Sequence, residues 1–257
     1  MQREFAEKKY PMADKKQKVR SKEQSQPRIH FKLRNMAVGL ELIAIFYALV
    51  SLGAMLLKYL GVDEEAFGWI NIVNIDMELT LPTTYSVMLL FITALILALI
   101  SCLKFREKDN YRWHWLFLSV GFLVMTLDEG SSIHELVTMP MRSWLGDGLP
   151  GFLLFAWIVP ALLVVLVLAF IYLRFFLALP RRTRKWLLIS AGIYLLGALG
   201  MEMVGGQYAD IYGIKNLTYN ILVTIEETLE MTGIILGINT FLDYLEEQYS
   251  GLKLTFK

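Results

Sequence analysis

"WLFLSVGFLVMTLDEGSSIHE", Trp115 to Glu135, decides how this chain is read. Through Leu127 it is apolar except for Ser119 and Thr126, as suits a helix crossing a bilayer. A crossing needs roughly 20 residues. Asp128, Glu129, His134 and Glu135 therefore fall where the chain should still be inside lipid. Four ionisable groups at that position call for a reason.

The rest of the chain supports the membrane reading. Of its 257 residues, 56% are apolar, against ~45–50% in soluble domains, and mean hydropathy is +0.48. The excess lies in six long runs: Met36–Leu57, Tyr85–Leu103, Trp113–Val137, Gly151–Leu179, Trp186–Val204 and Leu217–Leu242. They predict an all-α polytopic bundle of six transmembrane helices. No short alternating strands suggest a β-barrel. Residues 1–35 read as a basic, disordered cytoplasmic tail, 36–245 as the membrane domain and 246–257 as a short cytoplasmic tail. The tail lacks the apolar core of a cleavable signal peptide. It also lacks interleaved aromatics, so no nucleic acid is expected as a partner; membrane lipid is. Net charge is +1 and the single cysteine is Cys102. No general electrostatic partner, internal disulfide or cysteine metal motif follows.

The loops set orientation. "KFREKDNYR" (Lys104–Arg112) and "PRRTRK" (Pro180–Lys185) are basic, like the N-terminal tail. The alternate loops carry Asp63, Glu64, Glu65, Asp76, Glu78, Asp147 and Asp210. The excess of positive charge on cytoplasmic loops then predicts both termini inside.

Three segments carry buried acids: Asp128 and Glu129 on the third, Glu202 on the fifth, and Glu226, Glu227 and Glu230 on the sixth. Asp128, Glu202 and Glu226 each lie sixteen or seventeen residues from the charged cytoplasmic end of their segment. At 1.5 Å per residue that is about 25 Å for all three. One acidic layer in the outer half of the bundle is expected, with His134 and Glu135 ~9–10 Å further out if the helix runs straight. Helical phase puts Glu226 and Glu230 on one stripe with Gly233 and Gly237, and Glu202 with Ala198 and Gly206. Small residues admit a neighbouring backbone, so these faces should meet other helices.

One carboxylate at a helix centre costs ~2.5–3.5 kcal/mol even on lenient scales. Six in one layer, with no Lys or Arg among them, cannot all stay ionised; protons or a bound cation must neutralise some. An oxygen-rich site with one histidine suits Mg²⁺, Mn²⁺, Ca²⁺ or iron. Asp128, His134, Glu202, Glu226 and Glu230 are the candidate metal ligands, with Glu129 and Glu227 as candidate catalytic bases. The first expectation is a metal-binding membrane protein, extending to a metal-dependent enzyme acting on a lipid or other apolar substrate. The alternatives are a cation- or proton-coupled transporter, whose inner half-path Glu41 and Asn239 could line, and a structural subunit of a membrane complex. Glu41, close to Arg34, is otherwise expected to pair there or reach the interface. Asp76 and Glu78, just outside the second segment, read as a solvated loop, with capping of the site as the alternative.

"TLDEGSSIHE", "GALGMEMVGG" (Gly197–Gly206) and "EETLEMTGIILG" (Glu226–Gly237) together resemble an uncharacterised family of bacterial multi-pass membrane proteins. "DMELTLPTTYS" (Asp76–Ser86) is similar to its second-segment start. The resemblance spans about residues 70–245. It implies a bacterial inner membrane and assigns no residue roles.

Overall fold

The computed structural model describes residues 33–61, 70–77, 79–146 and 148–249. Most of the expected basic tail, Glu78, Asp147 and the chain beyond residue 249 lie outside the described residues. Those described form α1 (Leu33–Tyr59), α2 (Leu81–Arg106), α3 (Arg112–Ser131), α4 (Ile133–Leu145), α5 (Ile158–Ala178), α6 (Arg181–Leu195), α7 (Glu202–Tyr212) and α8 (Leu217–Gln248). Short 3-10 turns occupy Asn71–Val73 and Gly151–Leu153, and a π turn, Leu196–Met201, joins α6 to α7. No strand occurs among the described residues.

Local chemistry places several boundaries. Thr80 caps α2, its hydroxyl accepting the Thr83 N–H at 3.3 Å, and Pro82 stands in the first turn. Asn216 caps α8 by accepting the Tyr219 N–H at 3.0 Å. Gly130, Ser131 and Ser132 hold a helix weakly; Ser132 adopts a left-handed backbone with φ 43°, and α3 stops at Ser131.

Four stretches are long and apolar enough to cross a membrane: Met36–Tyr59, Leu81–Arg106, Ile158–Ala178 and Arg181–Tyr212. The pair α3 and α4 makes a fifth if taken together, but is bent by 82°. The third apolar run, expected to continue straight to Val137, therefore turns at Ser132. The fourth run begins its α-helix at Ile158; Gly151–Leu153 is a separate turn.

Helix α8, 32 residues long, holds the bundle together. It packs on α1, α2, α6, the π turn and α7. Its acids make it too charged to pass as an apolar span, yet Glu226, Met231, Ile234, Ile235, Ile238 and Phe241 along it are buried. Gly233 lets α6 approach: a Cβ there would stand 2.7 Å from the Tyr194 backbone nitrogen. Beside it the Ser190 hydroxyl donates to the Gly233 carbonyl at 2.7 Å. The small-residue stripe read from the sequence is thus the contact face. Helix α8 runs to Gln248, past the expected domain end at residue 245.

The basic loops gather at one end. Arg182 bridges Asp243 at 3.0 Å and Glu247 at 3.1 Å, tying the start of α6 to the end of α8. Lys104, at the end of α2, is buried over the rings of Tyr244 and Tyr249 and pairs with Glu107 at 3.0 Å. Burial pushes the Glu107 carboxyl up, but Lys104 and Tyr249 together pull it below the usual carboxylate range. His114 sits in the same end, stacked on Phe175 at 5.4 Å, away from the acidic layer.

Candidate functional site

Asp128 lies in the last turn of α3, and the chain break at Ser132 returns α4 over it. One carboxylate oxygen accepts the His134 backbone N–H at 2.8 Å; the other lies 3.0 Å from His134 Nδ1. Asp128 thereby caps α4 and fixes the imidazole. His134 does not continue outward along a straight helix, as the sequence suggested, but folds back onto the acidic layer.

The His134 ring packs on Trp157, centroids 4.6 Å apart. Trp157, just ahead of α5, donates its indole N–H to Glu202 Oε1 at 3.1 Å. Glu202 follows the π turn directly. A π turn is an α-helix holding one extra residue, and here it brings Gly197 against α8. A Cβ on Gly197 would stand 2.9 Å from the Glu226 carbonyl and 2.9 Å from Glu230 Cγ. No larger residue admits that approach. Glu202 and Glu226 then come close enough for their carboxyl groups to interact directly.

A second group lies alongside. Glu129 hydrogen-bonds Ser86 at the start of α2 and is within electrostatic reach of Glu227 and Glu230. Glu230 hydrogen-bonds Tyr194 of α6. Tyr194 also feels Asp128, Glu129 and Glu227. The structure therefore brings Asp128, Glu129, His134, Glu202, Glu226, Glu227 and Glu230 into one connected set. Trp157, Ser86 and Tyr194 complete it. Each of these three stands in an apolar or small-residue context that gave no sign of such a role.

Asp76 and Glu135 form the outer rim. One side of Asp76 stays open, but the surrounding protein withdraws water from the carboxyl, and Glu135 and Glu202 repel its charge. Its pKa is pushed from 3.8 up to about 6. Asp76 is thus an exposed loop residue within electrostatic reach of Glu135 and Glu202.

On the other flank, Glu41 turns into the bundle and accepts the Thr232 hydroxyl at 2.6 Å. α1 lies along α8, so Glu41 has an interior donor within reach; the side chain of Arg34, its expected partner, lies outside the described residues. Further along α8, Asn239 Oδ1 is buried without a hydrogen-bond partner.

Among the described residues, no three His, Cys, Asp or Glu side chains converge to hold a metal ion. The set expected as ligands (Asp128, His134, Glu202, Glu226 and Glu230) is divided instead into pairs. Asp128 is engaged by His134, Glu202 by Trp157 and Glu226, and Glu230 by Tyr194.

A family model described as Domain of unknown function (DUF8692) matches residues 39–245. The chain belongs to that family. No curated protein and no solved structure matches it.

Proposed function

We propose that the protein is a six-span membrane protein of a bacterial inner membrane, with both termini in the cytoplasm, and that it works as a cation- or proton-coupled carrier. α8 supplies the sixth span, its acids covered by neighbouring helices. The Glu202–Glu226 pair carries this reading. Two carboxyl groups held against one another, with no Lys or Arg between them, would share a proton in this reading, and an incoming cation would displace it. Coupled binding of that kind is what an exchanger needs. The Glu41–Thr232 contact and the unpartnered Asn239 continue polar groups along α8 towards the basic end, which an outward-facing enzyme has no need of.

A second reading has its own support. The Asp128–His134 pair has the carboxylate–histidine form that orients an imidazole for a metal. A metal-dependent enzyme acting on a lipid or apolar substrate would use His134, Asp128, Glu202, Glu226 and Glu230 as ligands and Glu129 or Glu227 as base. It requires the pairs to open and converge.

One preparation tests both. Protein purified without chelator is analysed for metals, then reconstituted in vesicles containing a pH-sensitive dye. The carrier reading expects proton movement driven by an imposed Na⁺, K⁺ or divalent gradient, lost in Glu226→Gln, with no stoichiometric metal. Absence of any gradient-driven proton movement sinks it. One bound metal per chain, lost in Glu226→Gln/Glu230→Gln, establishes the second reading instead.

A further inference from the structure

Helix α4 is built inside out for water. On a helical wheel, Ile133, Leu136, Val137, Pro140 and Trp144 form an apolar stripe roughly 100° wide. His134, Glu135, Thr138 and Arg142 occupy the opposite face. In a soluble protein the apolar stripe would pack inward. Here the polar face is the docked one: His134 is held by Asp128 at the start, and Arg142 donates to the Leu154 carbonyl at 2.9 Å near the end. The apolar face points away, with Ile133 48%, Leu136 72% and Trp144 79% exposed, and no residue of the helix is buried. Meanwhile α4 leaves α3, with which it makes the fifth candidate span, at 82°. Bent that sharply at its first residue, α4 does not continue along the line of α3.

We propose that α4 is an in-plane interfacial helix whose Leu136–Trp144 face docks on the lipid of the leaflet at the acidic end. Lipid is the one occupant that fits these three facts together: the neighbouring span already lies in it, the outward face is apolar, and a tryptophan stands at the end of the stripe as at membrane interfaces. Because Glu135 of the same helix is within electrostatic reach of Asp76, docking α4 there sets the rim of the acidic cluster at headgroup depth rather than in open water. That last consequence rests on the cluster being the working site; the docking itself does not.

The test uses the full chain in phosphatidylcholine–phosphatidylglycerol vesicles, with the exposed Cys102 replaced by alanine. Nitroxide labels are attached at Leu136→Cys, Trp144→Cys and, on the polar face, Thr138→Cys. Labels at 136 and 144 should collide several-fold more with oxygen, which partitions into lipid, than with a water-soluble nickel complex. The label at 138 should not show that excess. Nickel-accessible labels at 136 and 144 would overturn the proposal in favour of water. So would labels that are shielded from both reagents and coupled spin to spin, which would put a second copy on this face. Trp144→Phe in the otherwise native chain gives an independent reading. With six tryptophans, it should remove about one sixth of the emission, all of it from the part quenched by lipids brominated high on the acyl chain. No change in the quenched part would count against the docking. Neither readout involves a cation, so carrier activity and lipid docking fail separately.

Discussion

Trp157 donates its indole N–H to Glu202 across 3.1 Å, although the two are 45 residues apart. The contact joins the start of α5 to the acid that follows the π turn. It also fixes which Glu202 oxygen remains for Glu226. Trp157→Phe keeps the ring against His134 and removes the donor. It should cost about 1–3 kcal/mol, read as a lower melting temperature in detergent, and should shift the cation dependence of proton movement in vesicles. An unchanged melting curve would mean the bond adds nothing.

Glycines on the α6–α8 contact should be intolerant where backbone blocks the way. At Gly233 an added methyl meets Tyr194 backbone at 2.7 Å, whereas at Gly192 nothing lies within 4 Å. Gly233→Ala should destabilise by about 1–3 kcal/mol. Gly192→Ala, inside α6, should be neutral or stabilise by up to ~1 kcal/mol. Equal melting shifts for the two would contradict this packing.

Asp76 gives stability a pH dependence with a defined sign. Its folded pKa of about 6 lies above the ordinary 3.8, so between those values the folded protein retains a proton the unfolded chain has released. The stability linked to this group is complete below about 3.8 and is lost as pH rises through 6. Glu135 and Glu202 face it and supply the repulsion. Asp76→Asn should flatten the fall in melting temperature between pH 4.5 and 7 relative to the parent. Superimposable profiles would remove Asp76 from the site.

Glu41 and Thr232 bond at 2.6 Å between α1 and α8. Glu41→Gln, Thr232→Val and the double variant form a cycle whose coupling energy should be about 1 kcal/mol, within the range for residues in contact. Additive effects would show that the two do not act together.

The acidic layer was legible because a helix converts residue count into depth at a fixed rise. Asp128, Glu202 and Glu226 could be levelled from their charged ends alone, and Gly233 and Gly237 marked the close face by phase. The turn at Ser132 was not legible. Ile133, Leu136 and Val137 keep the apolar run going, and nothing local says that Asp128 will reach forward to cap the next helix. Trp157 was hidden for another reason: in an apolar stretch, a tryptophan N–H shows its partner only once distant helices are packed. α8 reversed the usual logic, since the helix least like a lipid-facing span is the one at the centre.

The π turn at Leu196–Met201 leaves one consequence in genetic terms. Losing a single codon there would let the turn wind as ordinary α-helix, rotating everything beyond it by about 100° and drawing it back ~1.5 Å. Glu202 would leave both Trp157 and Glu226, although every side chain of the site would still be encoded. An in-frame deletion of one residue can thus dismantle this cluster while altering none of its chemistry.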